Sequence, residues 1–160
     1  MLQMFTGREI EAGWDIMNAV DDADLPGEHL LVDTRFSGTR VDPGARGSIG
    51  NIGLDNFTPE HLVAGVRAGI VAELFAFYEC LPQAVRASMR QLAGSGNGLR
   101  KNPALRRAFE ARFHMPLRLP AHTEEASFGA ALLAGIAGGL LSGMTTAGAL
   151  IRYDTAEHRA

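Results

Sequence analysis

One cysteine, Cys80, is all that the 160 residues contain. No disulfide framework within the chain is therefore possible, and a reducing compartment, the cytoplasm, is the expected setting. Cys80 falls in an apolar helical run, which predicts a buried and inert thiol. The amino terminus has no basic stretch leading into an apolar core, so nothing there predicts a secretory leader. Two nucleotide signatures are missing as well. The phosphate-loop pattern Gly-x-x-x-x-Gly-Lys-Ser/Thr does not occur, and Gly94-x-Gly96-x-x is followed by Leu99 rather than by the last glycine of the dinucleotide fingerprint. There is no internal repeat and no low-complexity tract. His114 and His122 lack the spacing of a metal pair on a helix.

Charge is absent from Ala126 to Ile151, and Gly135, Gly139 and Gly143 repeat the small-residue spacing of packed membrane helices. Ser127, Ser142, Thr145, Thr146 and Gly148 dilute the stretch, however, and no aromatic or basic anchor stands at Ala126. A buried helix whose glycines permit close helix–helix contact is expected, not a membrane span. What is present in quantity is apolar: 46% of the residues are hydrophobic, enough for one folded domain with a core. The net charge of −3 hides an asymmetry. Residues 1–85 carry 5 Lys/Arg against 13 Asp/Glu, a net of −8; residues 86–160 carry 10 against 5, a net of +5. Arg86, Arg90, Arg100, Lys101, Arg106, Arg107, Arg112 and Arg118 cluster against Glu110 alone. No aromatic interleaving or nucleic-acid module accompanies them, so solvated helix faces and one nucleotide account for this segment, and nucleic acid is not an expected partner.

Along the chain, Ile10, Trp14, Met17 and Val20 share a helical face and predict a short helix, with Trp14 in a core or interface. Asp21, Asp22 and Asp24 run into Leu25-Pro26-Gly27 and read as a solvated loop instead of a metal site. Residues 1–29 thus form an amino-terminal helix and acidic loop, 30–151 the main domain and 152–160 a polar, frayed tail. Strands are expected near 30–36, 48–52, 88–93 and 116–119, and helices near 58–81, 102–114 and 124–141. In the long loop from Ser37 to Gly53, Arg35, Arg40 and Arg46 are expected to pair with Asp33 and Asp42 and hold its shape. Thr58-Pro59-Glu60 is a helix start, with Thr as cap and Pro at the first position. Leu62, Val66, Ile70, Leu74, Phe77 and Leu81 then form a helical stripe that Pro82 ends, a core scaffold; His61 reads as a surface residue near the helix start. Thr123 is the expected cap of the last long helix, with Glu124 and Glu125 complementing its dipole rather than serving as an acid–base pair.

The chain is organised around Leu92-Ala93-Gly94-Ser95-Gly96-Asn97-Gly98-Leu99-Arg100-Lys101-Asn102-Pro103. Extended residues from Ser88 to Ala93 lead into alternate glycines, which leave the backbone bare for a flat or anionic ligand. Asn102 is a preferred cap, Pro103 stands at the first helical position, and Leu105, Ala108, Phe109 and Phe113 supply a buried face. By spacing alone, an ordinary glycine-rich connection and a nucleotide loop both remain open.

Gly94-Ser-Gly-Asn-Gly-Leu-Arg-Lys-Asn-Pro-Ala-Leu105 resembles the adenosine motif of the FGGY carbohydrate kinases, particularly the sedoheptulokinase branch. Phe36-Ser-Gly-Thr-Arg-Val-Asp-Pro-Gly-Ala-Arg-Gly47 and Glu125-Ala-Ser-Phe-Gly-Ala-Ala-Leu-Leu-Ala134 resemble two further family stretches, in the family's order. The resemblance covers roughly residues 30–140 and only the carboxyl-terminal part of such a kinase. It implies an α/β domain of the actin-like ATPase, ribonuclease-H-like type, a C-terminal half-kinase with a mixed sheet flanked by helices. It implies ATP as cofactor, with Gly94, Ser95, Gly96 and Asn97 bordering the adenine and ribose and Asn102 capping the adjacent helix. The implied reaction is Mg2+-dependent transfer of the γ-phosphoryl group to a ketose such as sedoheptulose. The family's first phosphate loop, most sugar contacts, catalytic Asp base and most of the hold on Mg2+ lie in an amino-terminal half without counterpart here. No catalytic or metal residue is therefore assigned, and the chain alone is expected to bind nucleotide without phosphorylating sugar. A split-kinase subunit and a non-catalytic nucleotide-binding or dimerisation module, with a possible homodimer, are the alternatives.

Overall fold

The computed structural model describes residues 17–20 and 25–154. They divide into two compact units, one drawn from Met1–Met89 and Asn102–His114, the other from Arg90–Lys101 and Met115–Ala160. Trp14 and the aspartates at 21, 22 and 24 lie outside the described residues.

In the first unit, β1 (Leu31–Asp33) pairs antiparallel with β2 (Ser48–Gly50), Val32 lying opposite Ile49. The long helix α1 (Pro59–Glu79) begins as its sequence dictates: Thr58 is the cap, its Oγ accepting from the His61 amide at 3.3 Å, with Pro59 at the first position. The face it buries is not the expected apolar stripe. His61, Ala64, Gly65, Arg67 and Val71 are buried, whereas Leu74, Phe77 and Leu81 are exposed. The reason is close approach. A Cβ at Gly69 would collide with the Val32 carbonyl oxygen, and one at Gly65 would sit 2.8 Å from Val32 Cγ2. Strand β1 therefore runs against the small-residue face, where bulky side chains have no room.

Two polar residues on that face are tied rather than solvated. His61, expected at the surface, is 2% exposed; its Nε2 lies 2.9 Å from the Pro26 carbonyl and its Nδ1 2.9 Å from Thr58 Oγ. The ring thereby fastens the 25–30 segment to the start of α1. The Arg67 guanidinium, equally buried, donates to the Val20 carbonyl at 3.0 Å and that of Met17 at 3.3 Å. Cys80 also departs from expectation: it follows the end of α1 and its thiol is exposed, because the helix turns its last residues to solvent.

Of the Arg–Asp pairs expected in the loop between β1 and β2, the structure forms Arg35 with Asp33; Asp42 and Arg46 instead answer local backbone. Arg35 grips Asp33 through Nη2 at 2.6 Å, the Asp42 carboxylate accepts from the Gly44 amide, and Arg46 donates to the carbonyls of Pro43 and Ala45. After α1 comes a short helix α2 (Gln83–Ser88), and of the extended chain expected from Ser88 to Ala93 only Leu92–Ala93 is strand. Helix α4 (Pro103–Phe113) buries Ala104, Leu105 and Phe109, and Phe113 meets Phe75 edge-on with ring centroids 5.0 Å apart.

In the second unit, β3 (Leu92–Ala93) pairs parallel with β4 (Leu117–Arg118), and α3 (Asn97–Arg100) lies between β3 and Asn102. Each described sheet has two strands, so the expected mixed sheet is two short ladders, one in each unit. The uncharged segment splits into α5 (Glu125–Ala137) and α6 (Met144–Gly148), broken by Gly139 and Gly143 at positive φ. Neither piece is long enough to span a membrane, and no residue of α5 is buried: Leu133 is 58% exposed. Among the described helices only α1 is long and apolar enough to cross a bilayer, a test that the core helix of a soluble protein passes equally. The chain is tied down through Asp154, because Tyr153 bridges Pro120 and the Asp154 amide donates to Leu119. Tyr153 and Asp154, in the stretch after Arg152 expected to fray, are thus hydrogen-bonded into the fold.

Candidate functional site

The ladder between β3 and β4 delivers the chain to the glycine turn. The Leu92 amide donates to Pro116 and the Gly94 amide to Arg118, both at 2.9 Å. Gly94 is the last residue held this way, and it is packed under side chains: a Cβ there would lie 2.8 Å from Leu99 Cδ1 and 3.0 Å from Leu117 Cδ2. It serves as the floor of the turn. From Ser95 to Gly98 the chain is exposed. Gly96 has φ 90°, a conformation that side-chain-bearing residues seldom adopt, and neither Gly96 nor Gly98 would place a Cβ within 4 Å of anything. Backbone at 95–98 is therefore open to a flat ligand.

Expectation ran the turn directly into a helix capped by Asn102. Instead Gly96 is the N-cap of α3, whose single turn is closed by the Lys101 amide donating to Asn97 at 2.9 Å. Asn102 belongs to the first unit, where it is 2% exposed and its Oδ1 accepts from the Leu105 amide at 2.9 Å. The structure thus groups Gly94, Ser95, Gly96 and Asn97 in one turn and commits Asn102 Oδ1 to a helix cap.

Sequence reasoning missed Arg100. Counted there with the solvated basic residues, it lies within a polar knot. Its Nη2 donates to the Pro120 carbonyl at 2.6 Å, the His122 carbonyl at 2.7 Å and Glu125 Oε1 at 2.6 Å, and its Nε donates to the same oxygen at 3.1 Å. The Glu125 carboxyl is held below its ordinary value, first by Arg100 and then by backbone hydrogen bonds from Glu125 itself and from Gly96. Glu124, not Thr123, is the N-cap of α5 and makes no side-chain cap bond, so Glu125 answers a guanidinium before it answers a dipole. The His122 ring stacks on Phe128 at 3.7 Å. A signal was available: Arg100 and Glu125 each stand inside a family-like stretch, but 25 residues apart, and only folding pairs them. Among the described residues no group of three or more His, Cys, Asp or Glu could hold a metal ion.

Residues 8–138 match the family model described as the FGGY family of carbohydrate kinases, C-terminal domain. No curated protein sequence matches the chain. Among solved structures, xylulose kinase from Rhodospirillum rubrum superposes with a TM-score of 0.72 and 20% identity over 96% of this chain and 31% of that one. Ligand-bound xylulose kinase from Lactobacillus acidophilus gives 0.71 and 20% over 96% and 31%. Plasmodium falciparum glycerol kinase with ADP gives 0.65 and 21% over 96% and 30%. The chain spans about a third of the length of these structures, and at such identity the likeness speaks for fold alone. With the domain model covering most of its length, the chain belongs to the FGGY family of carbohydrate kinases and carries that family's C-terminal domain.

Proposed function

We propose that this chain is the ATP-binding portion of a cytoplasmic sugar kinase acting on a ketose such as sedoheptulose, inactive until joined by a sugar-binding and catalytic half. The observation that carries the reading is the bare backbone at 95–98, with open space above Gly96 and Gly98, inside a chain matched by this kinase domain. Adenine and ribose would rest against Ser95, Gly96 and Asn97 over the floor made by Gly94, while Asn102 shapes the start of α4. By the motif resemblance, the Mg2+ ion is assigned mainly to the other half. When bound there it would neutralise phosphate charge, the main requirement of phosphoryl transfer together with positioning. The ketose preference rests on the motif resemblance, and the exposed apolar residues of α5, Leu133 among them, favour a covering partner over a free-standing domain.

Calorimetric titration with ADP and a coupled ATP-consumption assay test this. ADP binding without sugar-dependent turnover is expected from the 160-residue chain, with turnover appearing when an FGGY amino-terminal half is supplied. Sedoheptulose should then outperform xylulose, glycerol and gluconate. Absence of ADP binding refutes the nucleotide assignment, and sugar-dependent ATP consumption by the chain alone refutes its inactivity.

A further inference from the structure

We propose that Arg100 and Glu125 are a positioning pair that sets the shape of the 94–98 turn and thereby its affinity for the adenosine end of a nucleotide; this rests on the nucleotide reading above. Helix α3 has four residues, too few to hold itself by its own hydrogen bonds. Its close is tied to a distant carboxylate: the Arg100 guanidinium binds Glu125 Oε1 through Nη2 at 2.6 Å and Nε at 3.1 Å. The same Nη2 fastens the carbonyls of Pro120 and His122, so the loop entering α5 is held with the turn. These groups belong to one compact unit, and the paired side chains are only 18% and 21% exposed.

A planar guanidinium can meet the carboxylate and both carbonyls together, whereas a lysine ammonium on a flexible stem has no such fork. With its backbone set in advance, the turn need not be ordered when ligand arrives, and ordering costs are what preorganisation removes from binding. Since neither residue needs to touch the nucleotide, each acts by holding the end of α3 that closes the turn.

The test titrates ADP and, separately, adenosine into the 160-residue chain and into Arg100→Lys, Glu125→Gln, Glu125→Ala and the Arg100→Lys/Glu125→Gln double variant. Thermal unfolding without ligand is recorded for each. Arg100→Lys and Glu125→Ala should weaken both ligands by about tenfold. Glu125→Gln, which keeps an acceptor oxygen for the Arg100 guanidinium, should recover part of that loss. The double variant should bind no more weakly than its weaker parent, because the two side chains act as a unit. If Glu125→Ala does not fold, the isosteric Gln and the Lys variant carry the measurement. Folded variants that bind both ligands like the wild type overturn the pair's role and leave the nucleotide reading standing. A loss for ADP without a loss for adenosine overturns its placement at the adenosine end. A wild-type chain that binds neither overturns the nucleotide reading, and this inference with it.

Discussion

Replacing Gly69 by Ala separates helix propensity from packing. In the interior of a 21-residue helix the exchange gains up to about 1 kcal/mol, because glycine is a poor helix former. The structure sets an opposing term. The new methyl group would meet the Val32 carbonyl oxygen, with Thr34 Cγ2 at 3.0 Å and the Val32 carbonyl carbon at 3.2 Å. Two of these atoms are backbone of β1 and cannot swing aside as a flexible side chain would. Forcing extra volume into such a contact costs about 1–3 kcal/mol. The net expectation is a loss of up to about 2 kcal/mol, which for a chain of this size lowers Tm by up to about 8 °C. Gly129 is the control, since a Cβ there meets nothing within 4 Å on α5. Gly129→Ala should stabilise by about 0.5–1 kcal/mol and raise Tm by about 1–4 °C. Thermal unfolding followed by far-UV circular dichroism, with urea midpoints in parallel, reads both. If Gly69→Ala unfolds above the wild-type temperature, β1 does not cross α1 on its small-residue face and the fold described for the first unit is wrong.

Three further outcomes are expected. Asn102→Ala removes the acceptor for the buried Leu105 amide and should cost about 1–2 kcal/mol, with Asn102→Asp close to wild type, as read from urea midpoints. Asp33 is held down from 3.8 to about 2, chiefly by its hydrogen bonds from Arg35. A depressed carboxylate stabilises the fold above its unfolded value, and that stabilisation disappears as pH falls through about 2. An NMR titration of the Asp33 carboxyl should show that low midpoint, moving up toward 3.8 in Arg35→Gln; an unmoved midpoint would remove Arg35 as the cause. Cys80 should react fully with a thiol-specific chromogenic reagent in the absence of denaturant, whereas protection until unfolding would contradict its exposure.

Local chemistry was legible in the sequence wherever neighbours along the chain decide it. Thr58 with Pro59, and Asn102 with Pro103, set helix starts because the cap oxygen reaches an amide three residues on. The exposed glycine turn was equally legible, since Gly96 needs only its own freedom at positive φ. Tertiary structure decided everything that depends on distant chain. Which face of α1 is buried follows from where β1 crosses, so Leu74 and Phe77 stay outside while His61 and Arg67 go in. Arg100 became a fastening for the turn only because folding brings Glu125 and two carbonyls to its guanidinium. Periodicity records how much apolar surface a helix offers, but the partner that covers it is named only by contact. For α5, which buries no residue within the described chain, the order of its own amino acids names no such contact.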